Sequence, residues 1–255
     1  MWRRLRIVIL LLILASVVQT AWLSRARTAE WRTSLRVVIY PINGDDSPTV
    51  TAYLGRLHRQ TFDAIETFFE TEAKHFGLPL SDPIDTFLAP PIAARPPAPP
   101  FGGSVAQIML WSLKLRYWAW RHDTHAGPRP DVRLFVVYFD PARSPTLAHS
   151  TGLRKGMLGI VNAFAGADEE GSNAVVIAHE LLHTFGATDK YDRETNAPTF
   201  PDGYADPDAR PAHPQRQAEI MGGRIPITQT HSEVPRNLKR VVIGEKTARE
   251  INWLK

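Results

Sequence analysis

Apolar residues along the chain fall into runs of different period. Ile7 to Leu23 is nearly unbroken, with only Ser16, Gln19 and Thr20 polar. As a helix this run spans roughly 26 Å at about 1.5 Å per residue, close to the ~30 Å hydrocarbon core of a bilayer. Arg3, Arg4 and Arg6 precede it, and Trp2 and Trp22 stand at its ends, where interfacial aromatics sit. Ala15-Ser16-Val17 is a poor cleavage site and lies inside the run. Segment 1–30 therefore reads as an uncleaved signal anchor, with secretion after cleavage as the alternative. Arg25, Arg27 and Arg32 follow the span, so charge leaves its orientation open. The orientation taken here puts the amino terminus in the cytoplasm and the remaining chain outside.

Shorter patterns follow. Leu35 to Ile42 (LRVVIYPI) is β-branched and apolar and predicts a first strand. Between Thr51 and Phe76, Leu54, Leu57, Phe62, Ile65, Phe68 and Phe69 recur at helical spacing, which predicts one long helix ended by Gly77 and Pro79. The proline-rich stretch of about 79–102 predicts a loop. Gly103 to His122 reads as a helix whose many aromatics pack in the core, with a surface that touches membrane or partner as the alternative. Val132 to Phe139 (VRLFVVYF) and Met157 to Ala165 read as strands, with irregular chain over 145–155 between them. An apolar run from Ala174 predicts a further helix, capped at Ser172 or Asn173 and with Val175, Val176 and Ile177 on buried faces. Thr195 to Gln215 reads as a long loop passing over or near that helix. A short strand over Leu238–Ile243 and a helix over Lys246–Leu254 close the chain.

Composition narrows the choices. A chain of 255 residues with 44% hydrophobic content can build one good-sized domain, here 31–255, after the anchor. The net charge of +4 comes without an arginine–lysine stripe interleaved with aromatics, which excludes nucleic acid as the main partner. Cysteine is absent, so any metal must be held by histidine and carboxylate.

The predicted helix from Ala174 carries that chemistry. His179-Glu180-Leu181-Leu182-His183 is an HExxH pattern. Residues four apart on a helix are neighbours, so both imidazoles can face one ion. Two imidazoles favour zinc over the hard cations calcium and magnesium. Glu180 can reach a water beside that ion and act as general base. Gly186 permits a left-handed exit from the helix, and Asp189, three residues on, is within reach of a third ligand position. An amphipathic helix carrying two hydrogen-bonded histidines is the plainer alternative.

His179-Glu180-x-x-His183-x-x-Gly186-x-x-Asp189 resembles the extended motif of metzincin zinc peptidases, in the snapalysin-like variant with aspartate in place of the third histidine. The resemblance covers roughly residues 157–223. It implies one catalytic zinc on His179, His183 and Asp189, Glu180 as base, and Met221 in a turn beneath the metal. Asp192 and Glu219 compete with Asp189 as third ligand, and Tyr191 and Tyr204 are candidate phenols for stabilising an oxyanion. The implied fold is α+β: a twisted mixed sheet, a long backing helix, an active-site helix and an irregular C-terminal subdomain, here following a transmembrane helix. The strand over 157–165 would form the sheet edge beside the cleft and pair with a peptide or protein substrate. The expectation is a membrane-anchored zinc peptidase. A membrane-tethered binding module with structural zinc, and a zinc amidase acting on cell-wall material, are the alternatives.

Overall fold

The computed structural model describes residues 31–100, 102–148, 150–153 and 157–255. Its elements run β1 (Leu35–Asn43), α1 (Pro48–Leu54), α2 (Asp63–His75), β2 (Ile84–Leu88), α3 (Val105–Arg121), β3 (Val132–Phe139), β4 (Thr151–Leu153), β5 (Leu158–Phe164) and α4 (Glu170–Phe185). The C-terminal part adds two-residue strands β6 (Ala218–Glu219), β7 (Ile225–Pro226), β8 (Ser232–Glu233) and β9 (Val241–Val242), then α5 (Glu245–Glu250). The expected anchor at 1–30 lies outside the described residues. Among those described, no helix is long and apolar enough to cross a membrane.

The main sheet has the order β2-β1-β3-β5-β4. β1 pairs in parallel with β2 and β3, and β3 with β5. β4 alone is antiparallel, pairing Thr151 with Ile160 and Leu153 with Leu158. The sheet is thus mixed, as expected, but the class is mixed α/β rather than α+β, because helices cover both sheet faces. Side-chain alternation in the strands shows why. Leu35, Val37 and Ile39 of β1 and Leu134, Val136 and Tyr138 of β3 join a core with α1, α2 and α4. Val38, Tyr40 and Ile42, with Phe135 and Val137, form a second core under α3. A strand buried on both faces must be apolar throughout, which is why VRLFVVYF shows no polar alternation.

Several expectations need correction. The single helix over 51–76 is two helices separated by a break. Gly55 caps α1, and a 3-10 turn over Arg59–Phe62 begins at His58, whose ring and backbone both engage Thr61. The backing helix is accordingly the thirteen-residue α2. The proline-rich stretch contains strand β2, and the irregular 145–155 stretch contains β4. β5 is therefore not the sheet edge; β4 is. Helix α3 forms where expected, with Ser104 and Gln107 making a reciprocal cap, but it buries only Trp111, Leu115 and Ala119. Half-buried Trp118 packs against Phe135, and the helix's other large apolar residues face outward, Trp120 at 72% exposure.

Candidate metal centre

Helix α4 begins earlier than the sequence suggests, at Glu170, and no side chain caps it. Asn173 instead ties the helix to the sheet: its amide accepts from the Phe164 amide N–H at 3.0 Å and donates to the Phe164 carbonyl at 2.8 Å. Leu181, Leu182, Ile177 and Phe185 are fully packed beneath it, whereas Val176 faces outward. The buried row fixes the rotation of the helix and turns His179, Glu180 and His183 toward one side.

Gly186 ends the helix in the left-handed region at φ 116°, the turn the sequence predicts. The turn brings the Ala187 carbonyl back to His183, whose Nδ1 lies 2.9 Å from it. His179 Nδ1 lies 2.8 Å from the Ile220 carbonyl. A carbonyl only accepts, so each Nδ1 carries the proton. In the neutral rings each Nε2 is then a bare lone pair. Both point at Asp189: its Oδ1 is 3.4 Å from His179 Nε2 and 3.0 Å from His183 Nε2.

This convergence admits two protonation states. Either an imidazolium donates to Asp189, or three lone pairs surround a cation. Burial works against a charged His179, but Asp189, Glu180 and the Ile220 carbonyl outweigh it and raise its pKa above the usual 6.5. Burial likewise opposes an ionised Asp189, yet the two imidazoles hold its carboxyl far below the ordinary carboxylate range. With neutral rings, Asp189 Oδ1 is buried with no hydrogen-bond donor. Buried polar atoms left without partners are rare. Two imidazole nitrogens and one carboxylate oxygen, each with a free lone pair, are a donor set that suits zinc. The carbonyl bonds to both Nδ1 atoms are the outer contacts that orient such ligands. The residues therefore fit the metal.

Glu180 sits beside this focus. The ligand atoms of His179, Glu180 and His183 lie within 4.8 Å of one another. Burial raises the Glu180 pKa, and its Oε2 has no hydrogen-bond partner. The site opens into a cleft of about 470 Å³ lined by Glu180, His183, Asp189, Tyr191 and Arg193 on one side and Ser150, Thr151 and Gly152 on the other. The β4 wall packs tightly on the helix: a Cβ on Gly152 would lie 2.5 Å from His183 Cβ and 2.6 Å from the Glu180 carbonyl.

The other sequence candidates separate. Met221 is fully buried, and its carbonyl accepts the Lys190 amide at 2.9 Å; the residue before it supplies the bond to His179. Tyr191 lines the cleft, its ring 6.3 Å from that of His179. Burial first, then the nearby carboxylates, raise its pKa. Tyr204 points elsewhere, to His213 Nε2 at 3.0 Å. Asp192 is exposed and accepts from the amides of Glu194 and Thr195 and from the Thr195 hydroxyl. Glu219 is fully buried and accepts from Thr247 Oγ1 at 2.6 Å and from the amides of Gly222 and Gly244. Tyr204, Asp192 and Glu219 are thus committed away from the cleft.

Three participants escape the sequence reading. Arg193 Nη2 lies 3.2 Å from Asp189 Oδ2, so each carboxylate oxygen has its own role; an arginine four residues after an aspartate is the faint signal for it. Gly152 and the Ile220 carbonyl leave no signal, since one contributes shape and the other only backbone.

No family model matches the chain, and no curated protein does. Among solved structures, a chaperone–substrate complex overlaps it with a TM-score of 0.41 at 14% identity, over 86% of this chain and 33% of the other. The chain thus spans about a third of that structure's length. Likeness so slight says nothing of activity.

Proposed function

We propose that this chain is a zinc-dependent peptidase, held at a membrane by segment 1–30 with its catalytic domain on the outer side. One observation carries the reading: two imidazoles, each fixed through Nδ1 by a backbone carbonyl, aim their Nε2 atoms at a single carboxylate oxygen on the floor of an open cleft. His179, His183 and Asp189 would hold the zinc. When bound, zinc acidifies water and polarises the scissile carbonyl. Glu180 accepts a proton from the attacking water and returns it to the leaving amine; its buried carboxyl with an uncommitted oxygen suits both steps. The Tyr191 phenol, kept protonated by its raised pKa, can donate to a developing oxyanion. β4, the sheet edge beside the cleft, is where an extended peptide would add as a further strand. The metzincin-like motif agrees with this reading, and the open cleft favours a reactive site over a sealed structural one.

Elemental analysis of the purified chain is expected to find about one zinc per molecule, and His179→Ala to lose it. Glu180→Gln keeps metal and fold while kcat on a peptide substrate drops by about 10²–10⁴-fold. Full activity in Glu180→Gln would show that the base is another group.

A further inference from the structure

We propose that the outward face of α3 is a second membrane contact that lies on an anionic lipid surface. Met109, Leu113 and Tyr117 recur every four residues, and Trp120 follows three later. These four form one exposed row, from 41% exposure at Leu113 to 72% at Trp120. The opposite row, Trp111, Leu115 and Ala119, already fills the core. The helix is apolar on two sides, and the sheet accounts for one. Single exposed apolar residues are ordinary, but a continuous row with aromatics marks an interaction surface.

Charge selects the occupant. Lys114 and Arg121 are exposed on α3, which has no acidic residue. A helix with an apolar row, flanking cations and interfacial Trp and Tyr is built for an anionic lipid surface. A second copy packed about a two-fold axis would bring these cations toward one another. The chain's own segment 7–23 is flanked by Arg3, Arg4, Arg6, Arg25 and Arg27, which repel α3 equally.

Position agrees. Asp123, just past the end of α3, accepts from Tyr40 Oη at 2.6 Å and Arg133 Nε at 3.0 Å. Asp131 accepts the Arg36 amide at 3.0 Å. The Tyr117–Trp120 end of α3 therefore stands at the sheet end where β1 and β3 start, the end at which the chain enters from 1–30. This positional point rests on the anchor proposed above; the apolar row and the charges stand without it.

The test uses the full chain in phosphatidylcholine vesicles with and without phosphatidylglycerol. Because the chain has no cysteine, a fluorophore on Leu113→Cys is the only label, and Thr71→Cys, exposed on α2 in the opposite layer, is the control. Spin-labelled lipid should quench the Leu113→Cys label several-fold more than the control in phosphatidylglycerol vesicles. Removing that lipid, or the double change Lys114→Gln and Arg121→Gln, should cut the effect by roughly tenfold. Trp120→Glu should also abolish it while the thermal melt stays unchanged. Equal quenching at both labels overturns the proposal. So does shielding of the Leu113→Cys label that persists in detergent and grows with protein concentration, which assigns the face to a second copy. Crosslinking from that position to residues 7–23 overturns it too. Repeating the measurement in Glu180→Gln separates it from the peptidase reading, since lipid contact there should be unchanged.

Discussion

Glu219 shows how little a residue's type says about its duty. Read from sequence, a glutamate near a methionine turn competes for the metal. In the folded chain it is a buried knot that joins β6 to the start of α5 through Thr247 and the Gly244 amide, and closes the Met221 turn through the Gly222 amide. Glu219→Ala should cost about 2–4 kcal/mol in denaturant unfolding by stranding these donors, yet Glu219→Gln should leave zinc stoichiometry at about one. The histidines carry a pH signature. In metal-free protein, the stability due to the raised His179 is full below pH 6.5 and is lost as pH rises through its folded value. The share due to the lowered Asp189 is full above pH 3.8 and is lost in stronger acid. The pair thus stabilises the metal-free fold most between those values. A zinc ion held there would need the neutral ring, so its affinity should climb with pH until His179 is deprotonated. Calorimetry in buffers of different ionisation enthalpy, at or below pH 6.5, should register proton release on zinc binding; no release would mean that His179 is already neutral.

Among the elements, legibility followed burial. β1, β3 and β5 were readable because strands covered on both faces must be apolar throughout, and α4 because its buried row and glycine exit are local features. β2 and β4 were not. Ile84–Leu88 is bracketed by prolines, and Thr151–Leu153 is three residues long; each is a strand because a neighbour offers it a register. The sequence leaves the outward face of α3 open for the converse reason: apolar residues mark contact, and the sequence does not say with what. The site was legible where ligands share one helix and turn, and illegible where its walls come from elsewhere. Gly152 gives the sharpest test of that wall. Gly152→Ala places a methyl against the His183 Cβ and the Glu180 backbone, so strand or helix must move. We expect a loss of about 1–3 kcal/mol in stability and a drop in kcat larger than any change in zinc content.

At the scale of the molecule, the candidate metal centre lies between two parts of different character. The layered sheet and helices supply His179, Glu180 and His183, and the sparsely regular chain after Gly186 supplies Asp189 and the Ile220 carbonyl. An ion joining them should act as a stabilising ligand for the whole fold. At a free zinc concentration 100-fold above its Kd, the gain is about 2.7 kcal/mol, so chelation should lower Tm by roughly 5–10 °C in a chain this size. An unchanged melting curve would mean that the two parts hold together without the ion. The bond from His179 to Ile220 crosses 41 residues, and this bears on biosynthesis. A nascent chain that has already displayed its HExxH helix still lacks the carbonyl that aims the first imidazole. The competence proposed for the site would therefore arrive only when translation has passed Ile220, and a product terminated before it would carry the motif without the means to orient it.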